Sequence, residues 1–231
     1  MILAVARGDP AARELGWQAM AGAYWKPAYK YIRLKWNRSV EDAEDLTQSF
    51  FAAAMDKEFF KSYDPGKGSF RNYLRLAIDG FVANQDKAAQ RLKRGGGATP
   101  VPLDFETAEG EFRRHEIADG VSMEDYFHKE WVRGLFDLAV ARMRAVCETE
   151  GRQVLFAVFE AYDLSEARDG EKPTYEALAR AHSIPVTTVT NYLSAARRRF
   201  RAAVLDILRE ITANDREFRA EARAALGVEL R

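Results

Sequence analysis

The sequence predicts an all-α protein of two helical bundles joined by a flexible linker. Apolar residues recur at the helical period through most of the chain, and no stretch alternates with the period of a strand. The periodicity lapses once, from Gly95 to about Met123, in a Gly-, Pro- and acid-containing run. Late in the chain, Thr174–Arg201 reads as a short helix, a tight break and a longer helix. The expected divisions are residues 1–94, a linker at 95–123, residues 124–209, and an extension at 210–231.

Composition limits the function. The chain of 231 residues is 47% apolar, enough for real cores, and carries 35 basic against 35 acidic residues. Balanced charge argues against non-specific coating of nucleic acid, so any DNA site must be a local patch. The single cysteine, Cys147, permits no internal disulfide and fits a reducing compartment. His115, His128 and His182 lack metal-ligand spacing, so neither metal nor cofactor is expected. The N-terminal apolar run is too short for a signal peptide, and nothing approaches the length of a membrane span. These features predict a cytoplasmic protein without a membrane partner. No triad, carboxylate pair or cofactor loop suggests an enzyme.

In the first part, Ala11–Ala21 and Tyr24–Trp36 are amphipathic and rich in aromatics: Trp17, Tyr24, Trp25, Tyr29, Tyr31 and Trp36. At this density most belong to a core. Ser39 caps the next helix, with Asp42 in the third helical position. Ala43, Leu46, Phe50, Ala53 and Ala54 form its apolar stripe. Glu41, Asp42, Glu44 and Asp45 exceed what the helix dipole requires. Asp42, Asp45, Gln48 and Ser49 share an exposed face beside Leu46, a surface for a basic partner. Thr47 reads as a helix-surface threonine. A phosphate there would add about −1.5 to −2 charges beside Asp45.

Tyr63–Ser69 is a loop by its Pro and Gly content. GKGS within it lacks the full phosphate-loop pattern, so no nucleotide site is expected. Ser69 caps a helix whose apolar face is Phe70, Tyr73, Leu74, Ala77, Ile78, Phe81 and Val82. Arg71, Asn72, Arg75, Asn84 and Lys87 lie on its other sides. Gly95-Gly96-Gly97 stops it. A second set of helices follows, through Tyr126, Phe127, Trp131, Leu135, Leu138, Ala139 and Met143, then Val154, Leu155, Val158 and Phe159. A last amphipathic piece, Asp215–Leu226, has no evident role.

Within Thr174–Arg201, Thr174 caps the first helix, and Pro185 suits the first turn of the second. Val186, Val189, Leu193, Ala196 and Phe200 make an apolar stripe. Thr187, Thr188, Thr190, Asn191, Ser194, Arg197 and Arg198 lie opposite. This is the pattern of a helix-turn-helix whose second helix enters a DNA major groove. Its Thr and Asn side chains would face base edges and its arginines phosphates.

Two blocks in this order resemble the bacterial sigma-70 family of RNA polymerase initiation factors, and more narrowly its small extracytoplasmic-function class. The first is Asp42-Ala43-Glu44-Asp45-Leu46-Thr47-Gln48, then Phe50-Phe51, then Gly68-Ser69-Phe70-Arg71-Asn72-Tyr73-Leu74, similar to the family's second region. The second is Tyr175–Phe200, similar to its fourth. Tyr24-Trp25 and Lys93-Arg94-Gly95-Gly96-Gly97 also resemble a subgroup. The resemblance implies core RNA polymerase and promoter DNA as partners, with an anti-sigma factor or a kinase as regulators. Asp42, Glu44, Asp45, Leu46, Gln48 and Ser49 would dock on the polymerase. Tyr63, Lys67, Phe70, Arg71, Asn72, Asn84 and Lys87 would meet the unwound −10 strand. The Pro185–Arg201 helix would read the −35 element. The acidic linker would follow the RNA exit path.

Three departures stand out. Leu76-Ala77 occupies the place of the duplex-wedging tryptophan pair of housekeeping members. Thr190 and Tyr192 replace basic residues common in relatives. Ser183 stands where a turn glycine is common, acceptable if it avoids positive φ. A helix-turn-helix regulator acting without polymerase would use only the second block. A sigma-shaped interaction protein would use neither promoter surface.

Overall fold

The computed structural model describes residues 10–55, 59, 62–89, 103–114, 120–165 and 172–227. The protein is all-helical, and no strand occurs among the described residues. The helices are α1 Pro10–Lys35, α2 Val40–Ala54, α3 Phe70–Ala89, α4 Phe105–Arg114, α5 Met123–Thr149, α6 Gln153–Phe159, α7 Tyr175–Ala181, α8 Val186–Ile211 and α9 Asp215–Leu226. No described helix is long and apolar enough to cross a membrane. The chain divides into two compact units. One takes in Met1–Leu135 and Leu208–Arg231, the other Phe136–Ile207. The divisions therefore fall within α5 and α8, whereas the sequence suggested one at residues 95–123.

In the first unit α1 is one helix, although the sequence suggested two pieces. Pro27 lies inside it. Met20, Tyr24, Ala28, Tyr29, Tyr31 and Ile32 are buried along it, and Asn37 ends it at φ 45°. Asn tolerates this left-handed conformation better than most residues. Trp17 is also buried, while Trp25 and Trp36 are half-exposed. Ser39 caps α2, its Oγ accepting from Asp42 N at 3.1 Å. From α3, Phe70, Leu74, Ile78 and Val82 are fully buried. Trp131 of α5 stacks near Tyr24, with ring centres 6.2 Å apart.

Helix α4 occupies part of the expected linker. Its placement has an electrostatic cause, because its acids meet the bases of α1. Glu109 takes a two-pronged contact from Arg33, at 2.9 and 3.0 Å, and a hydrogen bond from Tyr29 Oη at 2.8 Å. Glu111 accepts from Lys26 at 2.6 Å and from Lys30 at 2.7 Å. Lys30 also donates to Glu130 of α5 at 2.8 Å, and only 3% of Lys30 is exposed. Arg33 holds the Glu109 carboxyl down to about 2 from its ordinary 4.5, against the opposing effect of burial. These two acids, expected to suit an RNA path, are spent within the unit. Gly95–Pro102 lies outside the described residues.

The second unit packs Met143, Cys147, Leu155, Phe156, Phe159 and Ala196 in one cluster. Val158, Leu178, Ala179, Val189 and Leu193 form another. Cys147 is a core thiol, and burial raises its pKa. Helix α6 runs into a π-helical turn, Glu160–Leu164, closed by Ser165 N donating to Glu160 O at 2.9 Å.

Candidate nucleic-acid interface

The helix-turn-helix pattern folds as a short helix, a turn and a long helix. Thr174 Oγ1 caps α7 by accepting from Ala177 N at 3.1 Å. The turn is a Schellman closure: Ile184 N donates to Ala179 O at 3.0 Å, and Ser183 N to Arg180 O at 3.3 Å. Ser183 sits at φ 54°, so it does not avoid the left-handed region as the sequence reading required. The closure itself imposes that conformation. Pro185 O then accepts from Thr188 N and Val189 N, starting α8.

Val189, Leu193 and Ala196 are buried beneath α8, as their spacing predicts, and Phe200 packs partly beside them. Val186 departs from the stripe, being 40% exposed at the first position of the helix. On the outer face Thr187, Thr190, Asn191, Ser194, Arg197 and Arg198 are exposed, and Thr188 is half-buried. The two arginines are not equivalent. Arg197 makes a two-pronged contact with Asp163 of the π-turn, at 2.8 and 2.9 Å. Arg198 donates to Ser194 Oγ at 2.8 Å, and among the described residues no carboxylate pairs with it. Sequence reading had no means to find Asp163, because a π-turn has no periodic signature.

On α2, Asp42 and Asp45 are exposed, and Glu44, Leu46, Gln48 and Ser49 are half-exposed. This reproduces the predicted acidic face. Thr47 does not belong to it. It is fully buried, its Oγ1 donating to Ala43 O at 2.6 Å. The turn periodicity places it on the side of Ala43 and Phe51, so it is no surface site for a kinase.

The loop before α3 separates the predicted −10 residues into two kinds. Lys67 stands out in solvent and lies 3.8 Å from Asp64. Asn72 is half-exposed, with Oδ1 accepting from Arg75 at 2.9 Å. With Tyr63, Gly68, Ser69 and Leu76 these residues line a cavity of about 220 Å³. Leu76 is 54% exposed on its rim. Tyr63 and Phe70, by contrast, are core residues, 6% and 0% exposed. Packing against Tyr24 and Tyr73 claims their rings. Asn84 and Lys87 are exposed, but stand roughly 20 to 25 Å further along α3 at about 1.5 Å per residue. The structure does not bring them to the loop.

Arg71 turns inward. Its guanidinium lies 4.8 Å from the Trp131 ring centre and 3.4 Å from Glu221 of α9. Burial pushes the Glu221 carboxyl up, and Arg71 only partly offsets this. A second cavity, about 190 Å³, is lined by Arg71, Asn72, Arg75, Glu124 and His128, among others. Among the described residues, Arg71 Nη1, Arg75 Nε and His128 Nδ1 find no hydrogen-bond partner. Arg71 and Arg75 bring positive charge to this cavity, and Glu124, 3.4 Å from Arg75, opposes it. His128 was read only as a residue without metal-ligand spacing. Among the described residues no group of side chains suits a metal ion.

No family model, no curated protein and no solved structure matches this chain.

Proposed function

We propose that the protein is a sigma-type transcription initiation factor that binds core RNA polymerase and directs it to promoters with −10 and −35 elements. The observation that carries the reading is the outer face of α8. Thr187, Thr190, Asn191, Ser194 and Arg198 stand exposed over a buried Val189, Leu193 and Ala196 core. That is the arrangement by which a recognition helix offers side chains to base edges while its opposite side holds it in place. Arg197, held by Asp163, orients this face, and Arg198 is the phosphate contact.

The acidic face of α2 supports polymerase docking in addition to DNA reading. Asp42 and Asp45 are exposed beside Leu46, as a surface for a basic partner requires. In this reading the Lys67–Asn72 cavity takes an unpaired −10 base, and the guanidinium groups of Arg71 and Arg75 face a strand phosphate. A regulator acting without polymerase accounts for α8 but leaves the α2 acids and the loop cavity without a task. The chain would act in the cytoplasm, under an anti-sigma factor or a kinase acting elsewhere than at Thr47.

Asn191 tests the α8 assignment. An asparagine paired to adenine contributes about 1–3 kcal/mol of discrimination. Duplex DNA selected from a random pool by polymerase carrying the wild-type chain should show a defined −35-type motif. With Asn191→Ala, one position of that motif should relax, and affinity should fall roughly 5- to 150-fold. An unchanged motif would remove Asn191 from the interface.

A further inference from the structure

Helix α9 begins where Asn214 Oδ1 accepts from Glu217 N at 2.9 Å. Its buried face is Glu217, Phe218, Glu221 and Ala222. Two acids on the buried face of a short helix are costly unless each is satisfied. Glu217 is satisfied by the loop before α3. Its Oε1 accepts from Phe70 N at 2.6 Å and lies 2.9 Å from Tyr63 Oη. Its Oε2 accepts from Ala213 N at 2.8 Å. Phe70 is the first residue of α3, so its N–H is one of the donors that a helix leaves without an internal partner. A carboxylate there also suits the positive end of the helix. Glu217 thus caps α3 from a remote helix, while Ser69 caps it locally through Asn72 N at 3.3 Å. Burial pushes the Tyr63 hydroxyl pKa well up, and Glu217 adds to this, so Tyr63 stays a donor. Tyr63 and Ser69 line the same loop cavity described above.

We infer that α9 is a clasp on the promoter-reading loop, and that Glu217 is its positioning residue. By holding Tyr63 and the start of α3 it keeps the Tyr63–Asn72 cavity in the form that accepts an unpaired strand. The inference rests on the initiation-factor reading. It assigns the C-terminal helix a part in −10 binding rather than in polymerase or −35 binding.

The test uses the full chain with Glu217→Gln and Glu217→Ala. Two readouts are taken: amide hydrogen exchange at Phe70–Asn72, and binding of a random-sequence single-stranded DNA pool by the reconstituted polymerase complex. Capture of core polymerase is the internal control. The Ala variant should exchange faster at Phe70 and bind the pool about tenfold more weakly, with capture unchanged. The Gln variant keeps one oxygen for Phe70 N but turns its NH2 towards Ala213 N, and should recover part of both. Faster exchange with undiminished pool binding would make Glu217 a structural cap only, and would overturn the inference. So would protection retained in the Ala variant. Should the wild-type complex itself ignore the pool, the initiation-factor reading fails first. The exchange result would then describe a cap without this function.

Discussion

Ser183 carries a cost that its neighbours impose. The Schellman closure of α7 needs a left-handed residue at this position, and Ser183 adopts φ 54°. A residue with a Cβ gives up roughly 1–2 kcal/mol there. Glycine relieves that strain but loses some of the gain to its greater freedom in the unfolded chain. Ser183→Gly should therefore stabilise the second unit by about 0.5–1 kcal/mol in a urea melt, and Ser183→Val should destabilise it. Loss of stability in the glycine variant would contradict the assigned turn. At this scale the sequence was partly readable. Thr174, Ser39 and Ser69 cap where their spacing says, since a cap depends on residues three positions apart. Thr47 was misread because it sits among acids, although the helical turn buries it beside Ala43.

Helix α4 shows what periodicity cannot supply. Its amphipathic run is short and lies between glycine-rich and unpatterned stretches, so the sequence reads as linker. What orders it is charge matched across the fold: Glu109 to Arg33 and Glu111 to Lys26 and Lys30. Glu109 stays ionised down to about 2, whereas an unfolded glutamate titrates near 4.5. A group depressed in this way contributes stability above about pH 4.5 and loses it as pH falls towards 2. Wild type should therefore exceed Glu109→Gln in unfolding midpoint at pH 6, with the gap closing as pH falls from about 4.5. A gap constant with pH would show that the carboxylate's charge is not what holds α4. Helix α9 repeats the lesson. Its bounds were legible from its amphipathic pattern, yet neither its Asn214 cap nor its partner was read. An acid in a first turn is already explained by the helix dipole, and Phe70 is 147 residues away.

Across the whole molecule, all-helical architecture was legible because helical periodicity runs through most of the chain. The compact units were not, because α5 and α8 each continue across a division that leaves no break in their pattern. Charge follows the same logic. Equal numbers of acids and bases hide the fact that many bases are engaged internally, such as Lys30, Arg33 and Arg197. Asp42 and Asp45 of α2 and the polar residues of α8 stay exposed. The account therefore turns on whether α2 meets a polymerase. The most direct measurement is capture of purified bacterial core RNA polymerase by the immobilised chain, as wild type and as Asp42→Arg/Asp45→Arg. Both positions are exposed and outside the core, so the variant should fold as wild type does. The account predicts stoichiometric capture by wild type, and at least a tenfold loss on charge reversal, about 1.4 kcal/mol or more. Failure of the wild-type chain to hold core polymerase, or capture indifferent to the reversal, would contradict it.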